Sequence, residues 1–216
     1  MHVPECFVWT KFGTEAGQAV SDILRRKEGE RIANDGVFYW GIGNAVGPSI
    51  LELLHKSAEP EVLFSPIKSP PRRDDVAPET VVAWTAAEGL DGEPYRLPAW
   101  SLITSRFNAG RPRHYALVCK SDSSLLDEFE SITAGIARIA IRELTNLVTG
   151  RPLGSSQVTA VVKRQDHSCI PSAEYSVRLK LVPPYFIQLS SPRPITASVA
   201  YSWIDTIHPR SAIGQK

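Results

Sequence analysis

What this chain has little of narrows its function first. It holds only three cysteines, Cys6, Cys119 and Cys169, widely separated in 216 residues. No Cys-x-x-Cys pair exists, which argues against a zinc ribbon, and a sparse, odd set points to a reducing compartment with buried thiols. Charge of one sign is lacking too: 24 Lys and Arg against 23 Asp and Glu leave a net +1. Gripping a phosphate backbone regardless of sequence takes clustered cations. That disfavours a histone-like or sliding DNA binder and leaves open a reader of one nucleotide. No apolar run approaches the roughly 18 residues of a membrane span. The opening Met1-His2-Val3-Pro4-Glu5 has neither the charged leader nor the apolar stretch of a secretory signal. The expectation is a cytoplasmic protein without a membrane partner. Internal repeats and low-complexity tracts are also missing.

What is present reads as a globular chain with a real core: 43% hydrophobic and 22% charged residues. The length suits a single domain over 1–216, with a core over about 6–190 and a C-terminal extension over about 191–216. Residues 6–12 predict a strand rich in aromatic and β-branched residues. A helix follows, with Ala19, Val20, Ile23 and Leu24 inward and Asp22, Arg25, Arg26 and Glu28 outward. Asn34-Asp35-Gly36 signals a turn into a strand at 37–40. A glycine-rich loop over 41–47 leads into a helix opened by Pro48. Strands are expected at 62–64, 80–85, 99–104, 114–120, 158–163, 175–181 and 185–189, the last two around a Pro183-Pro184 bend. Leu125, Phe129, Ile132, Ile136, Ile139 and Leu147 predict the longest helical pattern, with Gly135 as a candidate break and a stop at Gly150 and Pro152. Pro66, Pro70, Pro71 and Pro78 mark a surface loop over 65–80, and the tail is expected to dock through Tyr201 and Trp203.

Strands come in consecutive groups with few βα alternations, which favours α+β over a doubly wound sheet. Glycine and proline break them often, as at the corners of bent sheets. The expected fold is therefore a small bent β-barrel or a strongly curved mixed sheet with flanking helices.

Three constellations can carry function. The first is the loop with Gly41, Gly43 and Asn44. Backbone N–H groups at a helix start can hold an anion, but the spacing G-x-G-x-x-x-G is neither the dinucleotide fingerprint nor a P-loop. A tight turn needing positive φ accounts for the same glycines. The second is the aromatic set Trp9, Tyr39 and Trp40, with Trp84 and Trp100 further on. A Trp and Tyr cage around a base gives about 1–3 kcal/mol of stacking per base, although most tryptophans are core. The third is polar groups at strand ends: Ser65 and Lys68, Ser105 and Arg106, and Gln157. Short hydroxyls, an amide and a cation at strand mouths suit a base edge and a phosphate; ordinary turn chemistry uses the same residues. Catalytic arrangements are weaker. His114 and Cys119 share a strand at an odd offset and face opposite sides, which argues against a nucleophile–base pair. No nucleophile elbow exists, and no catalytic residue, metal or cofactor is expected.

The run Asn34-Asp35-Gly36-Val37-Phe38-Tyr39-Trp40-Gly41-Ile42-Gly43, preceded by a strand and a helix, resembles the opening of PUA-like domains, closest to the EVE and ASCH branches. The resemblance covers about residues 6–165; the helix at 48–56 and the long C-terminal part depart from it. It implies a small barrel that binds DNA or RNA, often at a modified or flipped base. Trp40 would then stack, and Asn44, Ser65, Lys68, Ser105, Arg106 and Gln157 would make contacts. The leading expectation is a nucleic-acid or nucleotide-binding module reading a single base without chemistry. One competing reading is an enzyme on a nucleotide or phosphorylated small molecule that uses the 41–47 loop. Another is a scaffold that assembles, with itself or a partner protein, through its proline-rich segments.

Overall fold

The computed structural model describes residues 6–13, 20–42, 46–66, 81–98, 103–106, 114–133, 144–153, 159–164 and 177–194. Along the chain these form β1 (Cys6–Phe12), α1 (Val20–Ala33), β2 (Val37–Ile42), α2 (Gly47–Lys56), β3 (Glu61–Pro66), β4 (Val81–Glu88) and β5 (Pro94–Tyr95). There follow β6 (Ile103–Arg106), β7 (His114–Lys120), α3 (Leu125–Thr133), β8 (Leu144–Asn146), β9 (Thr159–Arg164) and β10 (Val177–Pro194). The class is α+β.

The ten strands make one mixed sheet in the order β2-β7-β10-β3-β1-β9-β8, with β4 branching from β10 and carrying β5 and β6. Among the described strands only β1 and β3 run parallel, with Trp9 beside Leu63; the other pairs are antiparallel. β10 is the common partner. It meets β3 through Val177–Lys180, β7 through Lys180–Leu189 and β4 through Gln188–Pro194. The two strands expected around Pro183-Pro184 are thus one 18-residue strand that carries the cis Pro183-Pro184 bond inside it. Its register against β7 shifts between Leu181 and Phe186, which absorbs the prolines. The branch bends back so that β6 lies against β2. No ladder joins those two, and among the described residues the sheet is open and no closed barrel is shown.

Side-chain alternation along the strands sorts the core by face. Val8, Phe38, Ile42, Phe64, Leu117, Cys119 and Phe186 point to one face. There they meet Leu24 of α1, Ile50 and Leu53 of α2, and Leu125 and Phe129 of α3. The opposite face is divided. Near β2 and β7, Tyr39, Ala116, Val118, Ile187 and Leu189 pack beneath Trp84, Ala87 and Ile103 of the folded-over branch. Near β1 and β9, Phe7, Trp9, Leu63, Ala160 and Val162 pack with Leu144 and Leu153.

Several expectations need correcting. The long helix does not reach Leu147, because Leu144–Asn146 is strand β8 on β9. Asn146 Oδ1 then accepts the N–H groups of Val148 and Thr149 and starts a tight turn, in which Gly150 takes φ 64. Gly150 therefore serves a hairpin-like turn and not a helix stop. Gly41 belongs to β2, so the loop begins later than the glycine count implied. The outward face assigned to α1 holds only in part: Arg25 is exposed and Asp22 half-buried, but Arg26 and Glu28 are buried, as are Lys27 and Glu30. The expected turn at 34–36 is present. Asp35 and Gly36 take φ 52 and 86 as α1 ends, and the Gly36 N–H reaches Arg31 O at 2.8 Å.

Candidate functional site

The sequence-predicted site residues that are described do not converge on one place. Trp9 is fully buried on the β1–β9 part of the sheet, and its indole Nε1–H donates to Ser65 Oγ at 3.0 Å. The parallel register sets Lys11 beside Ser65, so the hydroxyl falls on Trp9's face of the sheet. Ser65 is therefore an internal acceptor and not a group at a strand mouth. Trp40 lies on the helix-covered face. Its ring packs edge-on to Phe64 with centroids 4.8 Å apart and stacks on Phe129 at 6.5 Å and 15°. Tyr39 points the other way, and its hydroxyl pairs with that of Tyr95 at 2.9 Å. Burial and that neighbouring hydroxyl push the Tyr39 phenol far up. Gly41 follows on the Tyr39 side. Ser105 and Arg106 are in β6, opposite Val82 and Val81 of β4. Gly43, Asn44, Lys68 and Gln157 lie outside the described residues, as do Trp100, Tyr201, Trp203 and most of the proline-rich segment.

What gathers at the C-terminal end of β2 is a different set. The register pairs Gly41 with Ala116 and Ile42 with Tyr115, so His114 is the next residue of β7 at that end. His114 shares the face of Ala116 and Val118 and not that of Cys119, as the odd offset required. Trp84 reaches it from β4, and the two rings lie parallel, 5.3 Å apart at 7°. Desolvation lowers the His114 pKa to about 4, so the imidazole is neutral at physiological pH, with one nitrogen a donor and the other an acceptor. Across the strand pair, Gly41 and Ala116 put little bulk beside this plate. Sequence reasoning weighed His114 only as a base for Cys119, and set Trp84 in the aromatic set without a partner. The usable signal was the alternation of β7, which puts His114 on the side away from the helices.

Behind β2 stands a buried charge cluster. Lys27 Nζ reaches both carboxylate oxygens of Glu30, at 2.7 and 2.9 Å, and the Arg26 guanidinium is 4.0 Å from the same carboxylate. Glu30 also accepts the backbone N–H of Tyr39 at 3.1 Å. Burial pulls the Lys27 ammonium down to about 8 despite Glu30. Glu28 receives Arg31 in a bidentate fork at 2.8 and 2.9 Å. It also takes the N–H of Leu125 at 2.9 Å, which sets a negative charge at the start of α3. The cluster thus ties α1 to β2 and to α3. Nearby, burial raises the Cys119 thiol well above its ordinary range, which makes it an inert core residue and not a nucleophile.

Among the described residues no group of His, Cys, Asp and Glu is arranged to hold a metal ion, and no helix is long and apolar enough to cross a membrane. No family model, curated protein or solved structure matches the chain.

Proposed function

We propose that this protein is a nucleic-acid or nucleotide-binding module that takes a single base, modified or not, at the end of the sheet where β2 meets β7. The observation that carries the reading is the parallel His114–Trp84 pair beside Gly41. A base stacks on such a plate for about 1–3 kcal/mol. An uncharged imidazole can also hydrogen-bond a base edge without the desolvation cost of a cation. The near-zero net charge supports a pocket reader over a backbone binder. The order β2-β7-β10-β4-β6, with β6 returning to β2, curves this part of the sheet around the proposed site without closing it.

In this reading the base stacks on the outer face of His114, which the buried Trp84 ring backs. Trp40, whose ring is engaged by Phe64 and Phe129, supports the wall from behind. The test is binding to single- and double-stranded DNA and RNA, with and without modified bases, at two salt concentrations. One oligonucleotide class should bind selectively with a shallow salt dependence. His114→Ala should weaken it about tenfold, the loss of one stacking partner, while Trp40→Phe leaves it unchanged. Absence of binding at either salt would overturn the proposal, as would wild-type affinity in a folded His114→Ala protein.

A further inference from the structure

Among the described residues β2 is an edge strand: its only ladder is with β7, and β6 lies against it without pairing. Antiparallel pairs alternate between those that exchange backbone hydrogen bonds and those that do not. Tyr39 gives its N–H to Glu30, away from β7, so Tyr39–Val118 is a non-bonded pair. Gly36 fits the complementary set, since its carbonyl accepts the N–H of Ser121 across the strands. The pattern then fixes Val37, Tyr39 and Gly41 as the residues whose N–H and C=O groups face outward. Val37 N–H is taken by Asn34 O at 3.1 Å and Tyr39 N–H by Glu30. Among the described residues no group accepts the Gly41 N–H, and Gly41 is half-exposed.

We infer that the outward N–H and C=O of Gly41 form the edge-reading element of the base site. This rests on the reading proposed above and deepens it. An extended residue presents its donor and acceptor side by side. The complementary ligand edge therefore carries an acceptor next to an N–H donor, an arrangement found on nucleobases. Glycine suits the role because no side chain keeps the ligand from the backbone. The His114–Trp84 plate lies at the same strand end, one residue past the Ile42–Tyr115 pair. Stacking and edge recognition are thus supplied from adjacent strands. An added peptide strand fits this edge poorly. Strand addition needs a row of open backbone groups, and the donors of Val37 and Tyr39 are already used inside the chain.

The experiment uses the full chain labelled with 15N-glycine, with the Gly41 amide identified by its loss in Gly41→Ala. Adenosine, guanosine, cytidine and uridine are titrated, along with short single-stranded oligonucleotides of each base. The binding base should move the Gly41 amide proton downfield. Methylating away the donor on its edge, as in N6,N6-dimethyladenosine or 3-methyluridine, should weaken binding about tenfold, the worth of one hydrogen bond in such a site. If an oligonucleotide binds while the Gly41 amide stays still, or the methylated base binds equally well, the edge assignment fails and the base-binding reading survives. If nothing binds, both fail.

Discussion

The Glu30 carboxylate, wholly buried, accepts the backbone N–H of Tyr39 at 3.1 Å while gripping the Lys27 ammonium. One side chain of α1 thereby both neutralises a buried cation and closes part of the outer edge of β2. Removing one member of a buried pair leaves an uncompensated charge, at about 3–5 kcal/mol. Glu30→Ala is therefore expected to lower stability by that order in denaturant unfolding. Glu30→Gln, which keeps an acceptor for Tyr39, should lose less. Equal stability of wild type and Glu30→Ala would mean that the cluster does not anchor β2.

Acid should destabilise the fold through His114. Its folded pKa is lowered from 6.5 to about 4, so between those values the unfolded chain binds the proton and the folded chain resists it. The contribution is complete above pH 6.5 and is lost as pH falls through about 4. His114→Gln should flatten the pH dependence of unfolding in that window, measured at matched ionic strength. An unchanged slope would show that His114 is not held neutral.

Ser65 and Trp9 make an asymmetric pair. Ser65→Ala leaves a buried indole N–H without its acceptor, a loss of about 1–3 kcal/mol. Trp9→Phe removes the donor but also ring volume, and volume loss in a packed core adds a cavity term. Both variants should be destabilised and both should retain oligonucleotide binding, because the pair lies remote from the β2–β7 mouth. Loss of binding in folded Ser65→Ala would return Ser65 to the site.

Gly36 takes φ 86, and a Cβ there would stand 3.0 Å from the Ser121 carbonyl oxygen. Left-handed backbone is costly for a residue with a side chain, about 1–2 kcal/mol, and the contact adds to it. Gly36→Ala should lower the midpoint of thermal unfolding, whereas Gly92→Ala, at φ 80 with open space around it, should lower it less.

Strand identity was largely legible in the sequence, because alternation and turn residues act locally. Val37–Trp40 and His114–Lys120 could be read from their apolar runs, and the turn at Asn34-Asp35-Gly36 from its chemistry. Segment ends and partners were not legible. Leu147 fits a helical period with Phe129, yet the backbone just before it pairs with β9, a choice made by a strand distant in sequence. The charged side of α1 read as a solvent face because Asp22, Arg25 and Glu28 sit three apart, the spacing of ordinary surface pairs. Nothing local says that β2 will use Glu30 from the same helix. The candidate site suffered from the same gap. Trp40 and Gly41 are neighbours in sequence but face opposite sides, while Trp84 and His114 meet only after the β4 branch folds over.

β10 also sets a temporal order. Its residues leave the ribosome after β3, β4 and β7, the strands that it joins. Until Val177 and its successors emerge, those strands have edges without their shared neighbour, and the Tyr39 side of β2 and β7 lacks Ile187 and Leu189. Pairings this distant in sequence form slowly. Until β10 emerges the sheet therefore stays incomplete, with exposed strand edges that chaperones are built to shield. The arrival of one late strand joins three others at once.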